Sequence, residues 1–246
     1  MKIISVRFLL LVLGATALGG CDSDSSITTP VVPPPPPPPP ATATFEVTVT
    51  NLTNAQPLSP VGVIAHADTY SVFSIGSPAT VGLEELAEGG DNTSLLAEAA
   101  ADPGVYTSAS GAAAIGPGGV ETISIEVLQS DLVDMRVSTS SMLVNTNDAI
   151  TMLGAMDIGG LQAGDSITAR TIAYDAGTEA NTEMAMHIPG PAGGGEGFNA
   201  ARDDLADRVA MHTGVVGQDD GLGTSALDNQ HRFDNPVAMV RIERIN

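Results

Sequence analysis

Glu121-Thr122-Ile123-Ser124-Ile125-Glu126-Val127 alternates polar and aliphatic residues at every step, and Phe45-Glu46-Val47-Thr48-Val49-Thr50 does the same. A period of two sends one set of side chains to a core and the other to water, the mark of a half-buried strand. Near the end of the chain, Val240 and Ile242 share one face while Arg241 and Glu243 share the other. Residues 61–66, 136–144, 166–173 and 238–245 read as further strands, joined by turns rich in Gly, Pro and Asn. No regular alternation of strand and helix accompanies them, so the expected fold is all-β, an antiparallel β-sandwich with a few short helices in the connecting loops.

Two such helices are expected at Leu83-Glu84-Glu85-Leu86-Ala87 and Ser94-Leu95-Leu96-Ala97-Glu98-Ala99-Ala100, with Asp91 and Asn92 as cap candidates before the second. Residues 200–211 suggest a third, with Leu205 and Val209 four apart, after a loop at Gly190-Pro191-Ala192-Gly193-Gly194-Gly195. Five Phe, three Tyr and no Trp leave the core to Val, Ile, Leu, Met and Ala. A single cysteine excludes an internal disulfide.

That cysteine has another use. Lys2 and Arg7 precede the apolar run Phe8-Leu9-Leu10-Leu11-Val12-Leu13, which is too short to span a bilayer as a stable helix. The run closes on Leu18-Gly19-Gly20-Cys21, which resembles a bacterial lipoprotein box. Residues 1–20 are therefore expected to be a signal peptide, and the Cys21 sulfur the site of lipidation. Residues 21–43 then form an acylated, proline-rich tether, since the unbroken run of prolines at 33–40 favours an extended polyproline spacer. A β-sandwich domain would occupy residues 44–246. This places the protein in the bacterial cell envelope, lipid-anchored on the extracytoplasmic side, periplasmic or at the cell surface.

Apart from Lys2 and Arg7, the chain has seven arginines and no lysine against twenty-nine acidic residues. Such a surface argues against nucleic acid and anionic lipid headgroups as partners. It suits cation binding and equally a salty medium.

Individual acids are more telling than their sum. Tyr174-Asp175-Ala176-Gly177-Thr178-Glu179 follows a strand and sets two carboxylates four residues apart around a glycine. Carboxylates on a turn at a strand end suit a hard cation such as calcium, and they equally suit a solvated surface turn. Upstream, Asn145-Thr146-Asn147-Asp148 ends another candidate strand.

The order of these features resembles the spondin N-terminal domain, found in extracellular-matrix proteins of animals and in bacterial secreted proteins. The matching residues include Val47-Thr48-Val49-Thr50-Asn51-Leu52-Thr53, Gln56-Pro57, His66, Asp175-Ala176-Gly177-Thr178-Glu179 and Phe233-Asp234-Asn235-Pro236-Val237-Ala238. The resemblance runs from about Thr44 to Ile245. It implies an antiparallel β-sandwich with a calcium site at one end, whose ligands fall here on Asp148, Asp175 and Glu179. The chain departs from the family pattern at Ala149 and Tyr174, which replace tryptophans, and at Glu179, which replaces an aspartate.

The implied function is that of a membrane-anchored, calcium-binding, non-enzymatic module mediating adhesion or interaction with matrix or cell-envelope components. Its partner would be an unidentified protein or glycan, with no nucleic acid involved. An envelope hydrolase acting on glycan or lipid, or a purely structural surface spacer, is the alternative. His66, His187, His212 and His231 show no metal-ligand spacing, and no Gly-x-Ser-x-Gly elbow is present. His66 is expected to pack near a strand end and His231 to hydrogen-bond within a loop.

Overall fold

The computed structural model describes residues 36–201 and 207–246. The expected leader, Cys21 and the tether as far as residue 35 lie outside the described residues. Residues Pro39–Asn246 form one compact unit.

The strands are β1 (Thr42–Asn51), β2 (Gly62–His66), β3 (Val105–Ser110), β4 (Val120–Leu128), β5 (Arg136–Met142), β6 (Ala149–Asp157), β7 (Ser166–Asp175), β8 (Ala210–Met211) and β9 (Ala238–Arg244). All pair antiparallel in one nearly closed sheet of order β3-β2-β5-β6-β7-β9-β1-β4, with β8 alongside β7. The all-β architecture read from the alternating segments is the one observed. β7 joins the two halves of the sheet. Its first six residues, from Ser166 to Thr171, pair with β9, and the stretch from Ile172 to Asp175 pairs with β6.

The alternation of β1 and β4 works as expected. Phe45, Val47 and Val49 meet Ile123, Ile125 and Val127, with Val240 and Ile242 of β9, in the main apolar core. Each such side chain contributes roughly 1.5–3 kcal/mol when fully removed from water. β2 differs because both of its faces are covered. Val63 and Ala65 enter the main core, while Ile64 turns to a second cluster formed by α1 (Val81–Gly89) and α2 (Thr93–Ala101) through Leu83, Leu86, Leu95 and Ala99.

The two helices are fastened to each other at their ends. The Thr80 hydroxyl accepts from Leu83 N at 3.2 Å, and the Glu98 carboxylate of α2 takes Gly82 N at 2.8 Å. Gly82 is needed for the close approach, because a Cβ there would press on the Leu95 backbone. Before α2 it is Asp91 that accepts from Thr93 N, at 2.8 Å, whereas Asn92 reaches away to Pro60 O and Ser110 Oγ.

The third expected helix is corrected where residues are described. Val209 exchanges hydrogen bonds with the 76–77 loop, donating to Ser77 O and accepting from Gly76 N, both at 2.8 Å. Ala210 and Met211 then continue as β8 against Asp175 and Tyr174. This extended pairing buries Val209 beside the helices and leaves no helical turn to close. Residues 202–206 of that prediction lie outside the described residues.

Candidate functional site

Register brings the two halves of the expected cation site together. Ala149 at the start of β6 lies opposite Asp175 at the end of β7, so Asp148 and the 175–179 turn are neighbours. Ala176 N donates to Asp148 O at 3.3 Å, and the chain then turns at Gly177, whose φ is +74°. Glycine is required twice here. The left-handed backbone disfavours other residues, and a Cβ would collide with the Arg208 backbone.

The turn wraps Asp148. Its Oδ2 accepts from Thr178 N at 2.9 Å, Glu179 N at 3.2 Å and Thr178 Oγ1 at 3.4 Å. Oδ1 is buried with no hydrogen-bond partner. Asp148 itself is 0% exposed. Burial, then the charge of Asp175, pushes its carboxyl up to about 7, against the opposing pull of the Glu179 and Thr178 N–H groups.

The other two expected ligands are engaged locally. Asp175 Oδ1 accepts from Gly177 N at 2.9 Å, and Oδ2 from Asn181 Nδ2 at 2.6 Å. Glu179, 4% exposed, places Oε1 at 3.6 Å from His187 Nδ1. The three carboxylates thus share one end of the sheet, and Asp148 feels the charge of both others. Among the described residues, however, no three His, Cys, Asp or Glu side chains are arranged as a ready-made metal cage.

The loop before Asp148 is a polar hub. Asn145, Thr146 and Asn147 are all buried. Thr146 Oγ1 donates to Leu143 O at 2.6 Å and accepts from Ala149 N at 3.0 Å, closing the turn. Asn145 N donates to Gln56 Oε1 at 3.1 Å, and its side chain bonds Ala55 O and Ala192 N. Asn147 Oδ1 accepts from Glu183 N at 3.1 Å. One short tetrapeptide therefore ties together three segments distant in sequence, 55–56, 178–183 and 192.

Two titratable groups of this end were not found by reading the sequence. Glu183 is buried with a φ of +58°. Its Oε1 accepts from Val216 N at 3.2 Å while Oε2 has no hydrogen-bond partner. Burial pushes its carboxyl up to about 7. His212 accepts from Gly214 N on Nδ1 at 2.9 Å, so the neutral ring carries its proton on the buried, unpartnered Nε2. Burial lowers its pKa, partly offset by Asp175. Nothing in the spacing of these residues distinguishes them, and their burial follows from contacts made across the fold.

His66 sits at the end of β2, sealed from solvent. Its Nδ1 lies 2.6 Å from Ala67 O, and Nε2 lies 2.8 Å from Ser138 Oγ, which also accepts from Ala155 N. This pair ties β2, β5 and β6 together, and Ser138 is itself buried. His231 Nδ1 accepts from Asp228 N at 3.2 Å within its own turn.

In comparison with known proteins, no family model matches the chain, and no curated protein matches it in sequence.

Proposed function

We propose that this protein is a lipid-anchored, extracytoplasmic β-module that binds calcium and mediates interaction with matrix or cell-envelope components. The observation that carries the cation reading is Asp148, a fully buried carboxylate with one oxygen unsatisfied and two further carboxylates in its electrostatic field. The neighbouring charges help to raise the Asp148 pKa, and a divalent ion relieves that cost. All three side chains offer the oxygen donors that calcium prefers. The ion would be held by Asp148, Asp175 and Glu179. It would pin the 145–148 loop to the 175–179 turn, a structural role.

Calorimetry on the full-length chain tests this. An extracellular module binds with Kd of roughly 10⁻⁴ to 10⁻³ M. Ten to a hundred times that concentration would add about 1.4–2.7 kcal/mol of stability, or roughly 3–10 °C in Tm. The shift should vanish in Asp148→Asn and shrink in Asp175→Ala. An identical Tm for the intact protein in calcium and in chelator would overturn the proposal. The anchor is tested separately by labelled-palmitate incorporation, expected for the parent and lost in Cys21→Ser.

A further inference from the structure

The nearly closed sheet ends in two edges, β3 and β4, which share no ladder with each other. They are guarded unequally. β3 is six residues long, its pairing with β2 is bulged between Ala65 and His66, and Asn92, just ahead of α2, holds Ser110 Oγ. Short length and bulges are the usual means of keeping an edge from pairing. β4 is nine residues long and contains neither Pro nor Lys. Its register with β1 runs without a shift from Thr42 opposite Leu128 to Thr50 opposite Val120. We infer that β4 is a docking edge for β4 of a second copy of this chain, joined antiparallel about a twofold axis at Ser124.

The backbone decides the register. Gln129 N donates to Ala41 O and Asn51 N to Gly119 O, both at 3.0 Å, so the odd-numbered residues of β4 exchange bonds with β1. Antiparallel ladders alternate, which turns the N–H and C=O of Val120, Thr122, Ser124, Glu126 and Leu128 away from β1. None of these groups has a backbone partner among the described residues, and all five residues are exposed. An axis at Ser124 sets that residue opposite its own copy, Thr122 opposite Glu126 and Val120 opposite Leu128. Every outward donor then meets an acceptor. A shift by one residue would present groups already bonded to β1, and a shift by two would leave an end unpaired.

The side chains agree with that register. Val120 and Leu128, 60% and 41% exposed at opposite ends of β4, come face to face across the joint. Glu126 faces Thr122, and no acid of β4 stands opposite another. That matters in a chain with a formal net charge of −20, whose copies otherwise repel. Twofold pairing consumes both β4 edges and leaves only the guarded β3 edges, so the assembly stops at two. The chain enters β1 beside Leu128, which puts the two entry points at opposite ends of the joint. The inference names a partner for the interaction role proposed above and rests on that role, but it makes no use of the cation.

Light scattering on the detergent-solubilised full-length chain, in chelator, should give the protein mass of two copies. Ser124→Lys sets like charges directly opposite and should return the mass to one copy at unchanged Tm. Disulfide formation reads the register, in a Cys21→Ser background so that only the introduced thiol reacts. Ser124→Cys should cross-link to its own copy on mild oxidation, whereas Thr122→Cys, whose copies lie well apart along the joint, should not. A single copy at every concentration, a series of larger species, a dimer that survives Ser124→Lys, or no preference for Ser124→Cys over Thr122→Cys overturns the inference. Because chelator is present throughout, any of these results leaves the cation reading to its own calorimetric test.

Discussion

Phe45 in β1 and Asp148 before β6 are both 0% exposed, yet their surroundings have little in common. On the β4-β1-β9 side, burial is achieved by aliphatic side chains meeting one another, a non-directional attraction that tolerates small errors of position. At the loop end, Asn145, Thr146, Asn147 and Asp148 are just as deep, but Asn145, Asn147 and Asp148 depend on particular donors and acceptors from the 55–56, 178–183 and 192 segments, and Thr146 on Leu143 O and Ala149 N. A buried polar group without its partner costs more than a pair contributes. The first region should therefore lose stability in proportion to volume removed, and the second in proportion to partners orphaned and to pH.

Phe45→Ala should have the largest effect, a loss of about 3–5 kcal/mol in urea unfolding, because it opens a cavity in the main core. A loss under about 1 kcal/mol would mean that this side is not the dominant core. Asn145→Ala removes little volume yet deprives Ala55 O and Ala192 N of their partners. It should cost about 2–3 kcal/mol, and a loss no greater than that of a surface asparagine would erase the contrast between the regions.

The pH response separates them further. The folded protein holds the Glu183 carboxyl at about 7, above its ordinary 4.5. Between those values the folded chain binds the extra proton, so the contribution of Glu183 to stability falls as pH rises and levels off above 7. Asp148 acts in the same direction from its ordinary 3.8. His66 and His212 act oppositely, since burial favours their neutral forms and their contributions grow as pH climbs toward 6.5. Glu183→Gln isolates one of these effects. Its stability relative to the parent should improve by about 3 kcal/mol between pH 4.5 and 7.5, and a difference independent of pH would refute the assignment. Glu46→Gln, on the exposed face of β1, should change stability by less than about 0.5 kcal/mol.

The same division governed what could be read from the amino-acid order. β1, β4 and β9 bury every second residue, so alternation revealed them. β6 did not announce itself, because residues 149–151 are buried on both faces and Gly154 and Ala155 break the rest, Ala155 at φ +45°. β3 is half-buried along nearly its whole length, with no alternation to read, and β8 is two residues long, defined only by its pairing with β7. Within the site, the Asp175–Gly177–Glu179 turn was legible because glycine marks the bend. Asp148 entered only through the family resemblance, and Glu183 and His212 could not be picked out, since Glu183 is held by Val216 N from 33 residues away and the His212 ring packs 5.4 Å from Phe233.

β1 has one more consequence. It is an interior strand, laddered to β4 from Thr42 opposite Leu128 to Thr50 opposite Val120, and to β9 from Phe45 opposite Arg244 to Asn51 opposite Ala238. Hydrogen bonds in both ladders stand perpendicular to the strand. Tension drawn along β1 through the chain ahead of Thr42 would meet those bonds in shear and load them together, instead of peeling them off one by one. A pull applied along β1 would therefore load both ladders at once.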